Sequence, residues 1–99
     1  MAAPTTLDSA RSRPGRPPSV VEERRDMLAG LWAARLMLVP PDMISIYLAE
    51  CAQAKDKAAL VAKLHRDLTA RGLNASPGLI REKLAAYEAQ AARDIVRAA

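Results

Sequence analysis

The apolar residues of this chain recur at helical spacing in four stretches, which are separated by short segments containing proline, glycine or aspartate. The densest stretch, Met27 to Val39, reads MLAGLWAARLMLV and holds the only tryptophan, Trp32. Strong helix formers dominate this stretch, and no β-branched run interrupts it. We therefore predict a core helix here, against which the rest of the chain packs.

Local start and stop signals define the first two helices. Ser19 and Glu22 have the S-x-x-E spacing of a capping box, and Pro40 and Pro41 stop the helix that follows. The next helix opens at Pro41, and its apolar residues stand at i, i+3, i+4 and i+7. These signals predict helices over residues 19–39 and 41–54.

Two further helices are marked in the same way. Asp56 is a typical N-cap for the third, and Gly72 stands where a helix commonly ends in a left-handed residue. Ser76 and Pro77 are the cap and first residue of the fourth. We predict helices over 57–71 and 77–98. The side chains expected to form the core lie on one face of each helix: Leu28, Leu31, Trp32, Ile44, Leu48, Leu64, Leu68, Ile80, Leu84 and Tyr87.

The first 18 residues differ from the rest, since they contain four prolines, one glycine and three arginines. Such a segment cannot bury enough apolar surface to offset the entropy lost on ordering. We predict a disordered tail over 1–18 and an all-α, four-helix domain over 19–98. The three arginines, Arg11, Arg13 and Arg16, would form a basic arm that orders on a partner.

The formal net charge of +4 permits binding to nucleic acid or to acidic protein surfaces, but no segment concentrates the basic residues into one block. The single cysteine, Cys51, cannot form an internal disulfide, and the N-terminus has no apolar stretch resembling a signal peptide. We expect a cytoplasmic protein that does not insert into a membrane.

Catalytic chemistry is not expected. An enzyme needs a nucleophile with a base, or a cluster of metal ligands, and this chain has one His and one Cys. The sequence predicts no enzyme activity, no metal site and no cofactor, and favours a protein that acts by contact with another protein.

Two alternatives stay open. Residues 57–95 can be drawn as a DNA-binding helix-turn-helix, although Glu82 and Glu88 offset Arg81 and Lys83, so that nucleic acid is the less favoured partner. A self-associating helical module would use the Trp32 face, whereas we expect a monomer when the protein is free.

Two sequence words resemble a known family. The stretch from Arg24 to Ala34 is similar to the RR-x-x-L-x-GLWAA word of the ATPase inhibitor zeta subunit, an all-helical regulator of the F-type ATP synthase of alphaproteobacteria. The stretch from Asp67 to Leu73, followed by Ser76, Ile80 and Arg81, resembles the second signature of that family. The resemblance covers about residues 22–97. Its motif and core residues are Leu28, Gly30, Leu31, Trp32, Ala33 and Ala34.

The resemblance implies a four-helix bundle that binds the catalytic head of the ATP synthase and inhibits ATP hydrolysis with an N-terminal segment. That segment departs from the family pattern, because the chain has no Phe and because Pro14, Pro17 and Pro18 would interrupt a helix there. An interior proline costs a helix about 3 kcal/mol. The sequence thus predicts docking more strongly than inhibition. The expected contact residues are Arg11, Arg13, Arg16, Arg24 and Arg25, since arginine suits acidic and phosphate-bearing surfaces.

Overall fold

A computed structural model describes residues 18–98, and within that range the chain forms four α-helices and no strand. They are α1 (Val20–Leu36), α2 (Pro41–Ala52), α3 (Lys57–Ala70) and α4 (Pro77–Ala98). The predicted all-α, four-helix fold is confirmed for these residues. The predicted tail lies outside them, apart from Pro18.

The helix starts follow the capping signals. The backbone N–H of Glu22 donates to Ser19 Oγ at 3.1 Å, and the Ser19 N–H donates to Glu22 Oε1 at 2.9 Å, which completes the capping box of α1. Asp56 Oδ1 accepts a 2.7 Å hydrogen bond from the backbone of the first turn of α3, and Ser76 Oγ accepts one of 3.1 Å from that of α4. Each side chain satisfies an amide that the helix leaves unpaired.

Helix α1 ends earlier than the sequence predicts. The helix stops at Leu36 rather than at residue 39, because Leu38 has a left-handed φ of 58°. The Leu38 N–H donates to Arg35 O, and the Val39 N–H donates to Ala34 O. This pair of hydrogen bonds is the Schellman motif, which ends a helix and pairs carbonyl groups of its last turn.

The end of α3 has the same motif, with glycine at the left-handed position. Gly72 has a φ of 75°, its N–H donates to Thr69 O, and the Leu73 N–H donates to Leu68 O. Glycine adopts this conformation without a Cβ penalty. The predicted left-handed Gly72 is confirmed.

Helix α1 is central to the fold and contacts each of the other three helices. Apart from Arg25, its buried residues are all small: Ala29, Gly30, Ala33 and Ala34. Thin side chains allow neighbouring helices to approach closely, so the large side chains of the core come from those neighbours. The largest fully buried ones are Leu60, Leu64, Leu68, Ile80, Leu84 and Cys51.

The predicted core is only partly correct. Leu64, Leu68, Ile80 and Leu84 are fully buried, as expected. Six other predicted core residues are half-buried: Leu28, Leu31, Trp32, Ile44, Leu48 and Tyr87. The centre of the core therefore lies where the leucines of α3 and the apolar face of α4 meet the alanines of α1. The indole of Trp32 lies at its margin.

None of the helices in residues 18–98 has the length and the apolar content needed to cross a membrane.

Candidate functional site

Two of the arginines predicted to contact a partner lie side by side on α1 and face α4. Arg25 is buried, with 4% of its surface exposed. Its Nε donates to Asp26 Oδ1 at 2.9 Å, and its Nη1 donates to Glu88 Oε1 at 2.9 Å. Burial alone would lower the pKa of the Arg25 guanidinium, but the hydrogen bonds to the two carboxylates outweigh it, and the pKa is raised.

Arg24 makes a looser contact with the same helix. Its Nε lies 3.2 Å from Asp94 Oδ2, and 42% of its side chain is exposed. Such a surface pair contributes about 0–1 kcal/mol and can be exchanged for another carboxylate. Arg24 and Arg25 are thus brought together, but with different roles in the fold. The other three predicted contact residues, Arg11, Arg13 and Arg16, lie outside the described residues.

Gly30, in the GLWAA word, lies where α1 and α2 are in close contact. A Cβ built on Gly30 would lie 2.9 Å from Leu48 Cδ2 and 3.2 Å from Cys51 Sγ. Ala33 and Ala34, which end the same word, have 0% of their surface exposed. These three small residues of the word therefore set the spacing of α1 from its neighbours, and their role is in packing.

The aromatic residue of that word is covered by a lysine of α4. Lys83 Nζ lies 5.6 Å from the centroid of the Trp32 ring and 5.9 Å from that of Tyr87. A cation over an aromatic face stabilises by about 0.5–1 kcal/mol at an exposed site. Burial raises the pKa of Tyr87, although the positive charge of Arg35 opposes it. Trp32 is therefore shielded on one side without being enclosed.

A polar cluster that the sequence analysis did not identify joins α2 to α3. The hydroxyl of Tyr47 donates to Asp67 Oδ2 at 2.8 Å. Lys63 Nζ lies 3.1 Å from the same oxygen, 3.5 Å from Glu50 Oε1, and 5.0 Å from the centroid of the Tyr47 ring. Burial, together with the hydrogen bond to Asp67, raises the pKa of Tyr47. Only the i, i+4 spacing of Lys63 and Asp67 is a signal in the sequence.

The groups most often used in catalysis have structural environments here. Burial raises the pKa of the Cys51 thiol to about 11, despite the opposing charge of Lys63, so the thiol is protonated at neutral pH. His65 Nδ1 lies 2.9 Å from Ala75 O, where it ties α3 to the α3–α4 loop. Within residues 18–98, no group of three or more His, Cys, Asp or Glu side chains could hold a metal ion.

A different surface stands out by its apolar character, and we name it the α1–α2 corner. It consists of four exposed residues around the junction of the two helices, with the exposed fraction of each in parentheses: Leu36 (45%), Leu38 (84%), Met43 (45%) and Ile46 (52%). The first two fall within the helix predicted over residues 19–39. Leu36 is the last residue of α1, and Leu38 lies beyond the end of the helix, where it is exposed to solvent.

Comparison with known proteins agrees with the sequence words. The family model of the ATPase inhibitor subunit zeta matches residues 20–94, from the first residue of α1 into the last turns of α4. No curated protein and no solved structure matches the chain. The match spans all four described helices and about three quarters of the sequence. The chain belongs to the ATPase inhibitor subunit zeta family.

Proposed function

We propose that this protein regulates the F-type ATP synthase by binding to its catalytic head, and that it is not itself an enzyme. The family match over residues 20–94 is the observation that carries this proposal. The proposal that the protein is not an enzyme is supported by Cys51, which is buried and protonated, and by His65, which is hydrogen-bonded. Both side chains have structural roles. With this partner, the proposed location is the bacterial cytoplasm.

The contacts proposed for docking are electrostatic at the N-terminal end of α1. Arg24 is exposed and can exchange Asp94 for a carboxylate of the partner. Arg11, Arg13 and Arg16 precede it in the sequence and carry the same chemistry. Arg25 already engages Asp26 and Glu88, so we assign it to the attachment of α1 to α4.

The residues at the start of α1 bear on the inhibition of hydrolysis rather than on docking. The capping box of Ser19 closes the helix, and Pro18 lies before it outside helical structure. Pro14 and Pro17 lie further upstream, where each would interrupt a helix. We infer that the N-terminal segment does not extend α1 as one continuous helix, and that inhibition of hydrolysis is weaker than the affinity for the head would suggest.

The experiment adds purified full-length protein to the catalytic head isolated from the same host. Binding is measured by sedimentation with the head, and the rate of ATP hydrolysis is measured in parallel at each protein concentration. We expect saturable binding that weakens as salt is raised, because exposed charge contacts are screened. Hydrolysis should fall much less than occupancy rises.

A variant with Arg11, Arg13, Arg16 and Arg24 changed to glutamine tests the docking contacts, and a variant with Arg93 and Arg97 changed to glutamine serves as control for lost positive charge. The first should bind more weakly and the second as the unmodified protein does. Absence of binding by the unmodified protein at saturating concentration would refute the proposal. Tight, salt-sensitive binding to duplex DNA in place of the head would favour the helix-turn-helix alternative.

A further inference from the structure

Leu38 combines two unusual features at one position. Its φ of 58° is in the left-handed region, which L-residues other than Gly, Asn and Asp seldom adopt. The residue is 84% exposed, the largest value among the exposed large hydrophobic residues of the range 18–98. The fold therefore holds a leucine in a disfavoured conformation while gaining almost no packing from it.

The end of α3 shows that this conformation does not require a leucine. Gly72 occupies the equivalent position of the same hydrogen-bonded motif, with a φ of 75°. In both motifs the residue one position later, Val39 or Leu73, packs against the core, so the core contact does not come from the left-handed residue itself. A disfavoured backbone conformation that brings no internal contact is a reason to look for an external one.

Three further apolar side chains accompany Leu38. Leu36 ends α1, and Met43 and Ile46 stand three residues apart on one face of α2. All four lie within eleven residues of sequence. Exposed apolar side chains that are grouped, rather than scattered singly, are typical of contact sites.

The size of the corner helps to identify what covers it. Each partner in a stable interface contributes about 20–30 residues. The four side chains of the corner are far fewer. Two copies of this chain that met only through the corner would not form a stable dimer. A larger partner that also makes contacts elsewhere on the molecule fits the corner better.

The position of the corner along α1 indicates where those other contacts lie. The N-terminal segment joins α1 at Ser19, and the corner begins at the other end of this 17-residue helix. At 1.5 Å per residue, the two ends are about 25 Å apart. A partner that contacts both must offer a broad surface, as a multisubunit catalytic head does.

We propose that the α1–α2 corner docks into an apolar recess on the catalytic head of the F-type ATP synthase, with Leu38 as the side chain that enters it. This proposal rests on the proposed function and adds to it a second contact, apolar rather than charged. Two linked contacts bind more tightly than either alone, because binding at one raises the local concentration of the other.

Three substitutions at one position separate docking from backbone strain. Leu38→Met keeps an apolar side chain in the strained conformation, Leu38→Lys keeps the strain and removes the apolar character, and Leu38→Gly removes both. The matched control is Val96→Lys on α4, since Val96 is 75% exposed and lies away from the corner in sequence. Each full-length variant is titrated against the host catalytic head at high salt, where charge contacts are screened.

We expect Leu38→Met and Val96→Lys to bind within about twofold of the unmodified protein. Leu38→Gly and Leu38→Lys should bind about tenfold more weakly or worse, which is the effect of losing one buried leucine. Leu38→Gly should melt at or above the temperature of the unmodified protein, so that weaker binding cannot be attributed to unfolding.

The outcomes distinguish this proposal from the proposed function. If the unmodified protein binds the head and all three Leu38 variants bind equally well, the corner is not a docking site and the proposed function stands. If the unmodified protein does not bind, the proposed function fails and this proposal fails with it. A sedimentation mass that is dimeric for the unmodified protein and monomeric for Leu38→Lys would identify the occupant as a second copy of the chain, contrary to the proposal.

Discussion

Leu38 and Gly72 give opposite predictions for stability, although both occupy the left-handed position after a helix. In Gly72→Ala the new Cβ meets no atom within 4 Å, so only backbone strain is introduced. We expect a loss of about 1 kcal/mol. Leu38→Gly should leave the free energy of unfolding unchanged or raise it by up to about 1 kcal/mol, because relief of strain offsets the entropy that glycine adds to the unfolded chain.

Urea denaturation of both variants measures these changes. Equal losses of stability would show that the Leu38 side chain stabilises the fold, which would contradict our reading of its exposure.

Arg24 and Arg25 provide a second comparison between adjacent residues. Removing Arg25, whose side chain is only 5% exposed, leaves Asp26 and Glu88 without their shared cation. Loss of one partner from a fully buried pair costs about 3–5 kcal/mol, but Glu88 is half exposed, so we expect about 2 kcal/mol for Arg25→Ala. Arg24→Ala breaks only a surface pair and should cost about 0–1 kcal/mol. Chemical denaturation of both variants tests this, and similar losses would show that Arg25 is no better coupled to the fold than Arg24.

Cys51 predicts how stability changes at alkaline pH. Its pKa rises from an ordinary value of 9.0 to about 11 in the folded protein. Between these values the unfolded chain loses the thiol proton while the folded protein keeps it, so ionisation favours unfolding. The contribution of the neutral thiol is fully present below pH 9 and is lost as the pH rises toward 11.

The measurement is the free energy of unfolding from pH 8 to pH 11 for the unmodified protein and for Cys51→Ala. Stability of the unmodified protein should fall more steeply with pH, whereas Tyr47, whose pKa is also raised, contributes to both curves. Parallel curves would contradict the assigned environment of Cys51.

At the scale of the helix, two glycines that look alike in the sequence should respond differently to substitution. A side chain at Gly30 would overlap Leu48 and Cys51, whereas a Cβ at Gly78 would be 3.8 Å from its nearest neighbour, Ser76 Oγ. Gly30→Leu should cost about 1–3 kcal/mol by overpacking α1 against α2. Gly78→Ala should stabilise by about 0.5 kcal/mol through higher helix propensity near the start of α4.

Thermal denaturation of both variants provides the measurement. The prediction for Gly30 fails if Gly30→Leu is as stable as the unmodified protein, since α2 could then move away from α1 at no cost.

The helices could be predicted well at their starts and less well at the end of α1. Starts depend on side chains that hydrogen-bond within one turn, so Ser19, Asp56 and Ser76 announce them locally. The end of α1 depends on the backbone of Leu38, and apolar residues continue through Val39 without a break in the pattern. No residue type signals the reversal there, because glycine, the usual signal, is absent.

At the scale of the whole molecule, the arrangement of helices could not be read from apolar content. The densest apolar stretch overlaps the C-terminal part of the central helix, but α1 is central because of its alanines, and Trp32 lies at the margin. Ile80 and Leu84 of α4 are fully buried, whereas Leu28 and Leu31 of α1 are only half-buried. Which faces meet depends on how closely the helices approach, and that distance is a property of pairs of helices rather than of one stretch.

The two candidate contact surfaces, the arginines and the α1–α2 corner, also differ in how far the sequence predicts them. The arginines were predicted from charge alone, and the structure separates Arg24, which is exposed, from Arg25, which is held by two carboxylates. The α1–α2 corner was not predicted, because the exposure of Leu38 follows from the end of α1 and that of the other three residues from which helix faces pack together, not from residue type. Sequence identifies the charged groups, and the fold decides which of them a partner can reach.

The N-terminal prolines give a prediction about the whole protein acting on its partner. If they are what limits inhibition, replacing Pro14, Pro17 and Pro18 with alanine should allow the N-terminal segment to form a helix. Because Ser19 still caps α1, a companion variant that also carries Ser19→Ala should allow this segment to continue into α1.

We expect both variants to bind the host catalytic head as tightly as the unmodified protein, since the arginines and the α1–α2 corner are unchanged. Hydrolysis at equal occupancy should be lowest for the companion variant, as measured by the steady-state ATPase rate. A rate that does not change at saturating occupancy would show that the prolines do not limit inhibition, and that this member of the family binds the head without blocking it.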